Sequence, residues 1–166
     1  YDAFVVYCFS DLAVDALREN LSIPVIGPGA VALAAADMLS NRFTVVTTVE
    51  RNVSRTLRRL KQNPLCREKM AGVRALNIPV AELRDDPKAT IRYLSKLCQR
   101  AVEEERADTL VLGCLGLAEY GDALEQEFGI KVIDPAFLAL AWAEMAARLN
   151  LRPSRRSYGS VTQEEV

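Results

Sequence analysis

The sequence predicts an α/β protein made of two related lobes, each built on its own parallel sheet. Three observations carry that expectation. Short apolar strands alternate with helical stretches, one strand-helix-strand-helix unit occurs twice, and in both copies the leading strand stops at a cysteine. A missed repeat misreads a whole fold, so the repeat comes first. With Asp2 laid on Asp108, DAFVVYCFSDLAVDALRENLSIPVIGPGAVALAAADM runs over DTLVLGCLGLAEYGDALEQEFGIKVIDPAFLALAWAEM, with one extra residue in the second copy behind the cysteine. Matched identities include Val5/Val111, Cys8/Cys114, Leu17/Leu124, Ile23/Ile130, Val25/Val132, Ile26/Ile133 and Pro28/Pro135. The further matches from Ala32/Ala139 to Met38/Met145 weigh less, because alanine-rich helices coincide easily.

Each copy reads as one α/β unit. Residues 3–7 (AFVVY) and 109–113 (TLVLG) are short β-rich runs, the pattern of strands buried on both faces. Amphipathic helices are predicted over 12–21 and 118–128, ending at Ser22 and Gly129. The second strands, 23–26 and 130–133, run into Pro28 and Pro135. The helices behind them, 30–40 and 136–149, are apolar on most faces, which suits burial or a place between lobes. Between the copies, 42–49 (RFTVVTTV) reads as a strand ending in two threonines, 51–62 as a basic helix, 73–83 as a segment holding the strand IPVAEL, and 87–106 as a long helix. Such alternation argues for parallel sheets with right-handed crossovers. The polar tail, 152–166, is expected to be mobile or loosely docked.

This reading divides the chain into a first lobe of residues 1–40 and 136–166, to which the C-terminal helix returns, and a second lobe of residues 41–135. The second copy is preceded by strand-helix-strand-helix from Arg42 to Ala107, and the first copy by nothing. By its own symmetry the first lobe is expected to be N-terminally truncated, short by roughly 65 residues.

Composition narrows the chemistry. The 166 residues hold 21 basic and 22 acidic side chains, a net charge of −1, and no histidine. So balanced a chain offers no sequence-independent grip on nucleic acid or on a membrane surface. Without histidine there is no His-ligated zinc and no Ser-His-Asp or Cys-His triad. Acid–base work falls to Cys, Asp, Glu, Lys or Tyr. Cys8, Cys66, Cys98 and Cys114 form no CxxC pair, so no metal or redox motif is implied. No apolar run approaches membrane length, and a reduced, cytoplasmic protein is expected. The apolar helices make a homo-oligomer the expected state.

Ligands of open parallel sheets bind beyond the carboxyl ends of the strands. Cys8 and Cys114 stand there, at equivalent points of two related units. Two acid/base groups facing one carbon from opposite sides can invert a stereocentre, one removing a proton and the other returning one. Backbone N–H groups behind each cysteine would stabilise a carbanion next to a carbonyl and lower the thiol pKa, so that one cysteine rests as thiolate and the other as thiol. Cys66 and Cys98 read as structural, small buried hydrophobes.

CFSD at 8–11 and LGCLGL at 112–117 resemble the paired cysteine motifs of the aspartate/glutamate racemase superfamily, with its hydantoin racemase branch closest. RFTVVTT at 42–48 and the late RPSRRSYGS segment resemble that branch as well, and the likeness covers nearly the whole chain. It implies two α/β lobes with the site between them, and cofactor-independent racemisation of a small-molecule substrate: a 5-substituted hydantoin or allantoin. Cys8 and Cys114 would be the acid and base. Phe9, Ser10, Asp11, Thr47, Thr48, Leu115 and Gly116 would line or shape the pocket. Phe9 and Leu115 depart from the polar residues that follow each cysteine in amino-acid-specific members, which favours a less charged, ring-type substrate. Asp11 reads equally as a helix N-cap, and Thr47 and Thr48 as a strand end whose hydroxyls cap the next helix. The superfamily also contains arylmalonate decarboxylases and maleate isomerases, and a non-catalytic ligand-binding protein would keep the same fold. A disulfide switch between Cys8 and Cys114 would need Cα atoms within about 7 Å, closer than a substrate-sized cleft allows.

Overall fold

The computed structural model describes residues 1–159, the side chain of Leu65 excepted. The first unit runs β1 (Phe4–Val5), α1 (Val14–Asn20), β2 (Val25–Ile26), α2 (Pro28–Leu39). The connecting segment runs β3 (Phe43–Thr47), α3 (Arg51–Gln62), α4 (Pro64–Arg67), β4 (Met70–Ala75), α5 (Pro87–Glu103). The second unit runs β5 (Thr109–Leu112), α6 (Gly121–Phe128), β6 (Lys131–Ile133), α7 (Pro135–Arg148). Among the described residues no helix is long and apolar enough to cross a membrane.

Two parallel sheets form, a pair β1-β2 and a four-stranded sheet ordered β4-β3-β5-β6. The repeat is visible in their register. Val5 lies opposite Ile26, and its counterpart Val111 lies opposite Ile133. The two units therefore pair their strands identically, residue for residue.

The apolar helices exchange places. Ala32, Leu33, Ala35 and Ala36 of α2 pack with Phe43, Val45, Val111 and Ile133 of the four-stranded sheet. Ala139, Ala143 and Ala146 of α7 pack against Ile26, with Ala3 and Val5 beside them. Each unit's second helix thus covers the other unit's sheet, which is why both helices need an apolar surface on more than one side. A further core of Leu94, Cys98 and Ala101 on α5 with Leu110, Leu112 and Leu124 closes the opposite face of the four-stranded sheet.

Two expectations change and a third, for the tail, is narrowed to its docked alternative. The strand between Arg67 and Pro87 is Met70–Ala75, while IPVAEL is loop with a 3-10 turn at Val80–Glu82. Pro79 has no N–H to give a ladder, so pairing with β3 stops after Ile78 donates to the Thr48 carbonyl. The short helix α4 is an addition. The tail up to Gly159 is docked: Arg155 donates to the Leu21 carbonyl at 2.6 Å, and the Tyr158 hydroxyl to Asp15 at 3.3 Å. Arg18 stacks 5.7 Å over the Tyr158 ring. Residues 160–166 of that tail lie outside the described residues.

Cys66 and Cys98 are buried, as their apolar surroundings require. Burial, with Glu127 adding to it, pushes the Cys98 thiol up from 9.0 to about 11. A thiol raised by folding stabilises fully below its unfolded value, and that stability is lost as pH rises through the folded one. Stability should therefore decline between pH 9 and about 11. Denaturant melts of Cys98→Ala against the parent chain across that window should show a flatter pH dependence in the variant.

Candidate active site

Both cysteines stand where a strand gives way to a turn. Behind β1, the Asp11 N–H donates to the Cys8 carbonyl at 3.0 Å and closes a turn over Phe9-Ser10. Behind β5, the Leu117 N–H donates to the Cys114 carbonyl at 3.0 Å and opens a 3-10 turn, Leu115–Leu117. Cys8 and Cys114 are half-buried, unlike the enclosed Cys66 and Cys98. The Cys114 thiol is raised by its burial, lowered by the Gly116 N–H that donates to its sulfur, and raised again by Cys8 nearby. Burial outweighs the backbone donor, so the expected lowering of the thiol pKa does not hold at Cys114.

Phe9 and Leu115 are both buried, in one cluster with Phe43, Val45, Val111 and Ile133. Their side chains go into the core under the site and anchor the two cysteine loops to the same sheet. Gly116 lies against the loop 79–83: a Cβ added there would sit 3.3 Å from Val80 and 3.6 Å from the Cys114 sulfur. Thr47 and Thr48 close β3 beside Gly113, whose N–H donates to the Val46 carbonyl at 2.7 Å. Both threonines are almost fully buried. Their hydroxyls do not cap α3, whose N-terminus carries no side-chain cap. Ser10 is half-buried on the Cys8 turn.

Asp11 caps a helix, though not the one that follows it. Its two carboxylate oxygens accept from the N–H groups of Gly29 at 2.8 Å and Ala30 at 2.7 Å, at the start of α2. In the second unit the carboxylate comes from the other side: Asp134, the residue before α7, accepts from Ala136 at 2.8 Å and from Glu119 in the loop at 3.3 Å. Gly27 stands where Asp134 does in the repeat, and a Cβ on it would lie 2.6 Å from the Asp11 carboxyl carbon. Gly27→Ala should therefore displace the Asp11 cap and lower the melting temperature by several degrees, the scale of a lost helix cap of about 1–2 kcal/mol.

A hollow of about 470 Å³ opens beyond the carboxyl ends of β3 and β4, lined by Thr48, Val49, Arg51, Asn52, Pro79 and Val80. Val80 joins this hollow to the Cys114–Gly116 turn. Arg51 and Asn52 were not among the residues singled out from sequence. Their signal was positional: they are the first residues of the helix that follows a strand ending at the crevice. Another hollow, of about 440 Å³ between α2, α6 and α7, contains neither cysteine.

The fold is thus a pair of duplicated α/β units on parallel sheets, with a half-buried cysteine behind each matched strand. Residues 1–143 match the family model described as Asp/Glu/Hydantoin racemase, and the chain belongs to that family. It is 35% identical over 154 residues to a hydantoin racemase of Pseudomonas sp. (strain NS671), covering 93% of this chain and 61% of that protein. The chain thus spans about three fifths of that relative's length. Among solved structures it is similar to the allantoin racemase of Pseudomonas fluorescens, with 30% identity and a TM-score of 0.90 over 100% of this chain and 71% of that one. The allantoin racemase of Klebsiella pneumoniae gives 30% identity and a TM-score of 0.91, over 99% and 67%.

Proposed function

We propose that this chain carries the two-cysteine site of a cofactor-independent racemase acting on a 5-substituted hydantoin or on allantoin. The observation that carries the reading is the pair of half-buried thiols at matched strand ends of two units that pair their strands in the same register. Hydantoin and allantoin racemases among its relatives support the substrate class. In each substrate the reacting C–H lies next to a ring carbonyl. A thiolate on one face takes that proton, the electron pair passes into the carbonyl as an enolate, and the thiol on the other face returns a proton to carbon. Charge and protons balance, and the two cysteines leave the turnover with their protonation states exchanged. Burial raises the Cys114 thiol, which suits it to the donor role in the resting site. Thr48, which lines the hollow, offers a hydroxyl to a ring carbonyl or N–H group. Arg51 and Asn52 at the mouth of the hollow suit a polar substituent, such as a ureido group.

The test is solvent deuterium incorporation from single enantiomers. Two-base inversion places deuterium in the product enantiomer as it forms. Racemisation that retains the substrate's own hydrogen would sink the mechanism, and no exchange with any of these substrates would remove the activity. The pH dependence follows from the same pair. Enantiomers equilibrate with a constant of one, so kcat/KM is equal in both directions and its alkaline limb reports loss of the pair's last proton. Raised Cys114 keeps that proton longer, so the limb is expected above pH 9.0.

A further inference from the structure

We propose that Arg59 is the positioning residue for the Cys8 face of the site, a role that rests on the two-cysteine reading above. Arg59 stands on α3, behind β3 of the four-stranded sheet, whereas Cys8 follows β1 of the other sheet. Three contacts join them. One guanidinium nitrogen donates to the Phe9 carbonyl at 2.5 Å, the other donates to the Asp11 carboxylate, and the guanidinium lies 5.9 Å from the Phe9 ring centre. All three fall on Phe9 and Asp11, within three residues of Cys8. Planar Arg can hold a carbonyl and a carboxylate together in a way that the point charge of Lys cannot.

The loop needs such a hold. Asp11 and Ala13 both adopt left-handed backbone, at φ 52° and 61°, which costs free energy in residues with a Cβ. α2 is cut away to admit the clamp: a Cβ on Gly29 would overlap the Phe9 carbonyl oxygen and lie 2.7 Å from the Arg59 guanidinium. Asp11 is the hub, since the carboxylate that Arg59 grips also caps α2. The matched loop behind Cys114 carries a weaker device, an exposed ion pair of Arg84 with Glu119 at 3.2 Å, five residues behind the cysteine. Its carboxylate, Asp134, bonds backbone only and has no ion pair among the described residues, and the turn is closed by its own hydrogen bonds and by buried Leu115 and Leu117. The Cys114 turn is therefore seated by local packing with an exposed ion pair at its far end, and the Cys8 turn by a part-buried guanidinium reaching across from the opposite sheet.

This asymmetry sets the test. Inversion needs both faces, so Arg59→Met should lower racemisation of both enantiomers equally, by roughly 10- to 100-fold, the scale of a misplaced catalytic group. Deuterium wash-in without inversion needs one face only. It should fall for the enantiomer that Cys8 deprotonates and persist for the one that Cys114 deprotonates, which Cys8→Ala identifies independently. Arg59→Lys should restore part of the loss, and Asp11→Asn should reproduce the same one-sided pattern. Amide hydrogen exchange, which needs no activity, should speed up over residues 8–11 and not over 114–117. Equal loss of wash-in from both enantiomers, or unchanged amide exchange in the Cys8 loop, would overturn the assignment. A parent chain inert on every substrate would remove the racemase reading and the positioning role with it, while faster amide exchange in Arg59→Met would still establish the clamp.

Discussion

Replacing either Cys8 or Cys114 by alanine is expected to lower racemisation by about three orders of magnitude, within the range of a positioned acid or base. The loss should be equal for both enantiomers, because inversion uses one thiol as acceptor and the other as donor in either direction. What separates the variants is exchange. With Cys114 alone remaining, only the enantiomer presenting its hydrogen to that face should exchange it with solvent; with Cys8 alone, only the other should. The two variants should be mirror images in deuterium wash-in while equally dead in polarimetry. Both thiols are half-buried and outside the fully enclosed core, so the alanine variants should fold. Melting temperatures close to the parent, measured alongside, exclude a trivial loss. Full racemisation by either variant would remove the two-base mechanism. Matching wash-in patterns in the two variants would mean that the thiols do not address opposite faces.

The halves of this site were unequally legible in the sequence. Cys8 and Cys114 could be found because repetition places them: a strand, a cysteine and a second strand recur, and the structure gives both copies the same register. The exchanged helices α2 and α7 announced themselves by apolar residues on too many faces for a surface helix. Side-chain direction was not legible. Nothing local says that Phe9 and Leu115 turn into the core, since a residue behind a strand end can face either way. Arg59 was hidden for a different reason: in a strongly basic helix one arginine looks like the rest, and its partners lie some fifty residues away. Asp11 was rightly suspected as a cap, but the helix it caps begins beyond β2. IPVAEL misled because its apolar residues fit a strand pattern, while β4 is only half-buried along its length and shows little alternation. The thiol pKa failed on magnitude. The backbone donor expected behind Cys114 exists, but desolvation outweighs it.

Phe9→Ala is expected to be the most damaging single change to folding around the site. Truncating a buried phenylalanine costs about 3–5 kcal/mol, which for a chain of this size lowers the melting temperature by roughly 6–20 °C. Phe9 is 6% exposed and packs in the cluster of Phe43, Val45, Val111 and Leu115 that spans β3 and β5, so its loss opens a void beneath both cysteine loops. It also removes the ring that faces the Arg59 guanidinium. The outcome separates two roles for the same residue. A Phe9 that lined the substrate would change KM, and would change it differently from one hydantoin side chain to another, with little effect on melting. A Phe9 that anchors the loop should lower the melting temperature and kcat together, with KM ratios between substrates unmoved. Phe9→Leu should recover much of both, because it refills most of the void without restoring an aromatic face. Thermal melts paired with kinetics on two hydantoins of different side-chain size make the comparison. A substrate-selective change in KM at an unchanged melting temperature would return Phe9 to the pocket wall and leave the Cys8 loop to be held by Asp11 and Arg59 alone.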